Sequence, residues 1–264
     1  MALMRISFLS EELYRSVDVN IIVPMETLGI PGEVKPEKPS LFKTLYLLHG
    51  YSGNQDDWLT YSNIRMLADK YNLAVVMPAG ENSFYVDGTA QGTAWGRFIG
   101  EELVTFTRKL LPLSDKREDT FIGGLSMGGF GAARLGFYYY RSFSRIVSLS
   151  GAFITDKIAG QKEGYRDTVS DYHYYRRTFG NLDQIKDSPM DPFWCARQAA
   201  QYGKPPKIYM ACGEDDFLIE ENRAAKAKLQ QTGIRLTYVE TPGIHDWEFW
   251  NRSLEPAVQW LLEA

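Results

Sequence analysis

The stretch FIGGLSMGGFGAARLGF, Phe121 to Phe137, holds five glycines between Gly123 and Gly131, gathered around one serine, Ser126. Glycine inside a strand or helix costs about 0.5–1 kcal/mol relative to alanine, so a run this dense requires a steric reason. The residues DTFIGGLS before the turn read as a buried strand, and MGGFGAARLGFYY after it as a helix. Gly124-Leu125-Ser126-Met127-Gly128 therefore fits G-x-S-x-G in the strand–turn–helix setting of a nucleophile elbow. In such a turn the serine adopts a strained backbone and its hydroxyl projects beyond the strand end. Gly124 and Gly128 are expected to clear the turn, and Gly129 and Gly131 to let the helix approach the sheet.

Outward from this turn, strands and helices alternate. KTLYLLHG and LAVVMPAG are continuous apolar runs, as in strands covered on both faces. SNIRMLADKY sets Ile64, Leu67, Ala68 and Tyr71 on one helical face, and GEELVTFTRKLL is an amphipathic helix. SRIVSLSGAF and PPKIYMACG are further strands, and IEENRAAKAKLQQTG is a helix closed by Gly233. IRLTYVETPG and WEFWNRSLEPAVQWLLEA complete the series. Two β-rich stretches, RISFLS and RSVDVNIIVP, precede it, followed by a Pro/Gly/Lys-rich linker, GIPGEVKPEKPS. Repeated βα units predict an α/β fold in one domain over 1–264, with a mainly parallel sheet and helices on both faces. From Ile154 to Phe193 the chain is polar and lacks periodicity, yet carries Tyr165, Tyr172, Tyr174 and Tyr175, with Tyr202 beyond. This predicts a cap-like insertion at about 154–200 over one end of the sheet.

The 264 residues are 44% hydrophobic with a formal net charge of -4, enough to bury a core without staples. The acidic balance argues against a nucleic-acid partner. No run approaches the ~18 apolar residues of a membrane span. MALMRISFLSEELYRSVDVNIIVP alternates like a strand and lacks the order of a signal peptide. A cytoplasmic location follows as an expectation, with Cys195 and Cys212 as free thiols.

A serine hydroxyl needs a base, and the base an orienting acid. With a nucleophile elbow the chain order is serine, acid, histidine. Of His49, His173 and His245, only the last follows the final predicted strand, in TPGIHDWEFW, so His245 is the expected base. His49 precedes the serine, and His173 lies in the insertion. Glu214, Asp215 and Asp216, after the strand KIYMA, are the candidate acids. Asp246, next to His245, is badly placed to orient its own neighbour. An oxyanion requires two donors: the N–H of Met127, after the nucleophile, and that of Tyr51, in the loop following LYLLHG.

These stretches together resemble the esterase D and feruloyl esterase group of the α/β-hydrolase fold, and within it the tributyrin esterases of Gram-positive bacteria. The likeness rests on LYLLHGYSGNQDDW, KREDTFIGGLSMGGFGAARL, CGEDDFLIEENR and GIHDWEFWNRSLEPAVQWL and on the spacing between them. It implies a triad of Ser126, Asp216 and His245, the acid lying three residues after Gly213, with Asp215 as the alternative. It implies Tyr51 and Met127 as oxyanion donors, no metal and no cofactor, and a dimer or tetramer. The implied activity is hydrolysis of short-chain acyl or feruloyl-type esters through an acyl-enzyme. The S-formylglutathione hydrolase branch carries a cysteine soon after the strand-ending glycine, and HGYSGNQDDW has none. An S-formylglutathione hydrolase-like thioesterase, a peptidase and a non-catalytic binding protein are the remaining readings. Trp58, Tyr85, Trp95 and Trp247 are candidate walls of a substrate pocket, Trp95 foremost.

Overall fold

Alternate residues of the first strand, β1 (Ala2–Ser10), turn inward, so it can cover only one face of a sheet. It pairs antiparallel with β2 (Arg15–Val23), with Ala2 opposite Val23. The computed structural model describes residues 1–25 and 38–263; most of the expected linker GIPGEVKPEKPS lies outside them. After it come β3 (Lys43–Leu48), β4 (Leu73–Pro78), β5 (Thr120–Leu125), β6 (Arg145–Leu149), β7 (Lys207–Gly213) and β8 (Leu236–Thr241). The eight strands among the described residues form one sheet in the order β1-β2-β4-β3-β5-β6-β7-β8. β2 meets β4 antiparallel, and every pairing from β4 to β8 is parallel. The continuous apolar runs of β4 and β5 are buried along their whole length.

The order of strands creates the site. From β3 the chain moves outward to β4 and then returns past β3 to β5. The connections after β3 and β5 therefore diverge, leaving a crevice at their carboxyl ends, where open α/β sheets bind ligands. The loop after β3 holds Tyr51, and the turn after β5 holds Ser126.

Each face of the sheet is sealed by its own apolar cluster. On one face, helices Ile64–Lys70 and Trp247–Leu262 pack Leu67, Trp250 and Leu254 against β3, β4 and β6. On the other, helix Met127–Tyr138 lies beneath helix Pro192–Tyr202, with Phe130, Leu135, Phe193 and Ala196 in one cluster. The helix after Ser126 is buried at every residue from Met127 to Phe137, which explains its small residues. Its one cation, Arg134, is 1% exposed and donates from Nε to the Pro189 carbonyl at 2.8 Å.

Two segments differ from the sequence reading. The helix expected to begin at Gly100 follows a helical path from Trp95, with a π-helical turn over Phe98–Glu102 before Leu103–Leu110. Glu102 from that turn accepts the Ser10 hydroxyl at 2.5 Å and the Glu11 N–H at 2.6 Å, tying the helix to the β1–β2 hairpin. The insertion is more regular than its composition suggests. It contains helices Thr155–Ile158, Tyr172–Phe179 and Pro192–Tyr202. The last two start at Asp171 and Asp191, whose carboxylates accept the N–H of Tyr174 and Trp194, both at 3.0 Å. Asp191 followed by Pro192 is a legible helix start. No helix among the described residues is long and apolar enough to cross a membrane.

Candidate active site

Ser126 occupies φ 52°, ψ −119°, a region that a residue with a side chain rarely adopts. The backbone around it holds the strain in place. Its N–H donates to Leu149 at 2.8 Å, and its carbonyl accepts from Phe130 and Ala152, both at 3.0 Å. A Cβ on Gly124 would lie 2.5 Å from the Gly128 carbonyl, and one on Gly128 would lie 2.4 Å from the Leu48 oxygen. Both contacts involve backbone, so only glycine fits. Gly129 faces β6 as expected, but Gly131 makes room for the Tyr85 ring, not for the sheet.

The Ser126 hydroxyl lies 3.0 Å from Nε2 of His245. Nδ1 of the same ring lies 2.9 and 3.0 Å from the two carboxylate oxygens of Asp216. A carboxylate accepts, so Nδ1 carries the proton, which leaves Nε2 to accept from the serine hydroxyl. The Asp216 side chain has no exposed surface and that of His245 is 15% exposed. Burial alone would raise the Asp216 pKa. The hydrogen bond and charge of His245, the Leu218 N–H and the Ser150 hydroxyl outweigh it and hold the carboxyl below its ordinary value. Asp215 is exposed, its N–H turned to the Gly243 carbonyl at 3.0 Å. The structure thus joins Ser126, His245 and Asp216 in one hydrogen-bonded chain and leaves Asp215 outside it.

The loop after β3 runs against the serine: a Cβ on Gly50 would approach the Ser126 Cβ to 3.6 Å. Tyr51 follows immediately. Met127 opens the helix after the serine, where a backbone N–H has no partner four residues back. Asp246 caps helix Trp247–Leu262, accepting the Phe249 N–H at 2.9 Å, in keeping with a structural role. His173 is exposed in the insertion, 3.9 Å from Glu163.

The four aromatic candidates part company. Trp58 is 1% exposed and donates its indole N–H to the Leu48 carbonyl at 3.0 Å. Tyr85 has no exposed surface, and its hydroxyl donates to the His49 carbonyl at 3.0 Å. Both are core residues with nothing to offer a substrate, which corrects the expectation for them. Trp247 is half-buried and packs edge-on against Trp58 and Trp250, with ring centres 5.2 Å apart in each case. Trp95 lines a cavity of about 600 Å³ together with Ser52, Asn82, Arg177 and Thr178.

The sequence reading missed three contributors. Phe217, 60% exposed, lies with its ring centre 4.5 Å from the imidazole of His245, and Trp250 meets the imidazole edge-on at 5.0 Å. A phenylalanine inside the acidic turn GEDDFL was the available sign. Ser150, buried at φ 48°, bonds Asp216 and accepts the Trp250 indole N–H at 3.1 Å. Its sign was Ser-Gly at the end of a strand next to the elbow.

A strained serine after a central strand, a histidine relayed to a buried carboxylate and a second strand end facing the serine define an α/β-hydrolase. Residues 10–261 match the family described as "Putative esterase", so the chain belongs to that esterase family and is a carboxylic ester hydrolase. An acetyl esterase of Caldicellulosiruptor saccharolyticus is 45% identical over 262 residues, covering 99% of this chain and 98% of that protein. An S-formylglutathione hydrolase (FrmB) from Staphylococcus aureus superposes with a TM-score of 0.81 at 27% identity, covering 99% of each chain. A ferulic acid esterase superposes with a TM-score of 0.74 at 18% identity over 98% of this chain and 96% of that one, a likeness of fold.

Proposed function

We propose that the protein is a serine esterase acting on short-chain acyl esters, acetyl esters among them, through an acyl-enzyme intermediate. His245 takes the Ser126 proton as the hydroxyl oxygen attacks the ester carbonyl carbon. Asp216 holds the imidazole in the right tautomer and stabilises its cationic form. The N–H groups of Tyr51 and Met127 receive the charge that develops on the carbonyl oxygen; each such donor is worth about 2.7–4 kcal/mol in related chemistry. The protonated His245 then gives its proton to the leaving alkoxide. Water activated by the same imidazole releases the acid and regenerates the serine.

The 3.0 Å contact between Ser126 Oγ and His245 Nε2, backed by Asp216, carries this reading. The acetyl esterase at 45% identity favours a short acyl group over a hydroxycinnamoyl one, since the ferulic acid esterase is similar in fold alone. The test compares p-nitrophenyl acetate, p-nitrophenyl butyrate, methyl ferulate and S-formylglutathione on the wild type and on Ser126→Ala. The expected result is the highest kcat/KM on acetate or butyrate, with turnover of all four by the variant reduced about 10⁴-fold or more. Preference for methyl ferulate or for the thioester would overturn the substrate class, and an active Ser126→Ala variant would overturn the mechanism.

A further inference from the structure

His49 has no step in this reaction, yet it is 1% exposed and stands directly before Gly50 and Tyr51. Its Nδ1 lies 2.7 Å from the Gly50 carbonyl oxygen. A carbonyl only accepts, so Nδ1 carries the proton and donates it. Nε2 is buried and has no hydrogen-bond partner among the described residues. Burial pushes the imidazole pKa down, against the smaller opposing influences of the Gly50 carbonyl and Asp57, and so favours the neutral ring. The Gly50 oxygen also accepts the Gly53 N–H at 3.2 Å, and the His49 carbonyl is fixed by the Tyr85 hydroxyl at 3.0 Å.

The geometry gives that bond a consequence. The Gly50 carbonyl and the Tyr51 N–H belong to one planar trans peptide and point in opposite directions, so gripping the first aims the second. A carbonyl that accepts a hydrogen bond also polarises its own peptide and makes the N–H a better donor. The peptide on the other side of Tyr51 is held as well. Its N–H, that of Ser52, donates to Asn82 Oδ1 at 2.7 Å, and its carbonyl accepts the Ser52 hydroxyl at 2.6 Å. Ser52 sits at φ 63°, a conformation a serine keeps only when its surroundings impose it. Asn82 is in turn tied to the cap: its carbonyl accepts the Tyr174 hydroxyl at 2.6 Å, and the Tyr174 ring meets Tyr51 edge-on at 5.7 Å.

We propose that His49 and Asn82 are positioning residues that clamp the two peptides flanking Tyr51 and so aim its N–H at the developing oxyanion. The proposal rests on the assignment of Tyr51 as an oxyanion donor. The test measures kcat and KM on p-nitrophenyl acetate for His49→Leu, His49→Asn, Asn82→Ala and Asn82→Asp. Thermal midpoints and the inhibition constant of an alkyl boronic acid, which forms a tetrahedral adduct on a serine, are measured alongside.

His49→Leu removes the donor, whereas His49→Asn places an amide N–H at the same distance along the side chain. Asn82→Asp keeps an acceptor and Asn82→Ala does not. The expected result is a fall in kcat of about 10- to 100-fold for His49→Leu, part of the loss seen when an oxyanion donor is deleted outright. Asn82→Ala, whose bond is exposed, is expected to lose about 5- to 10-fold. KM should stay within about twofold, boronate affinity should fall in step with kcat, and His49→Asn and Asn82→Asp should recover most of the loss. If His49→Leu fails to fold, the exposed Asn82 pair decides. An unchanged kcat in Asn82→Ala overturns the clamp. So does a loss confined to KM, or one that follows the thermal midpoint and is not recovered by the conservative variants. A wild type whose Ser126 is not labelled by a fluorophosphonate overturns the functional reading and the clamp with it. Labelling together with undiminished variants overturns the clamp alone.

Discussion

The turn at Ser126 and the segment from 154 to 200 are held by different forces. At the turn, backbone packs against backbone: Gly124 against Gly128, and Gly128 against Leu48, with no room for a Cβ at either glycine. In the cap, order comes from polar side chains reaching across loops. Asp167 accepts the hydroxyls of Tyr165 at 3.0 Å and Tyr175 at 2.9 Å and the N–H groups of Val169 and Ser170, both at 2.9 Å. Asp191 accepts the Thr155 hydroxyl at 3.0 Å while capping its helix. The turn tolerates almost no change in shape.

Ser126→Ala should break the turn's chemistry without touching the cap. Turnover of p-nitrophenyl acetate is expected to fall by about 10⁴- to 10⁶-fold, while the circular dichroism spectrum stays that of the wild type. Asp216→Asn should cost about 10⁴-fold in kcat, because an amide no longer fixes the tautomer of His245. It also has a signature in pH. The folded carboxyl titrates below its ordinary value of 3.8, so its ionised form adds stability above that pH and loses it as pH falls through the lower folded value. The gap in urea midpoint between wild type and Asp216→Asn should therefore be widest near neutrality and close below about pH 4.

Gly128→Ala tests the steric account of the turn. Its new methyl would face two backbone oxygens, Leu48 at 2.4 Å and His49 at 2.6 Å. A loss of about 2–3 kcal/mol in urea unfolding is expected, together with most of the activity. A variant with wild-type stability and turnover would show that the turn is looser than described.

Asp167→Asn sharpens the comparison from the cap side. Burial would raise the Asp167 pKa, but the Ser170 N–H, the Tyr175 hydroxyl and its other partners hold it below the ordinary carboxylate value. Loss of the charge should cost about 1–3 kcal/mol, speed proteolysis within the cap, and leave kcat on p-nitrophenyl acetate within about twofold. Tyr175→Phe, which removes one of the donors, should have the smallest effect, about 1 kcal/mol.

The same contrast explains what the sequence made legible. The elbow could be read because its steric demand is local: glycines at Gly124 and Gly128 are its direct imprint. His245 followed from chain order, and the choice of Asp216 over Asp215 is matched by burial of one and exposure of the other. The parallel sheet followed from apolar runs such as LAVVMPAG. Trp58 and Tyr85 were misread because a tryptophan or tyrosine near a site carries no mark that separates wall from core. The cap helices were hidden because their stabilising partners are far apart in the chain, as Thr155 is from Asp191. His49 and Asn82 could not be linked to Tyr51 either, since a grip on a peptide plane depends on backbone direction and not on residue type.

The most direct test of the central claim is treatment of the wild type with a fluorophosphonate, followed by intact mass and peptide mapping. One adduct per chain on Ser126, lost when Ser126→Ala is treated and slowed when His245→Ala is treated, is the predicted result. No adduct, or an adduct on another residue with hydrolysis abolished, would contradict the assignment of Ser126 as the nucleophile.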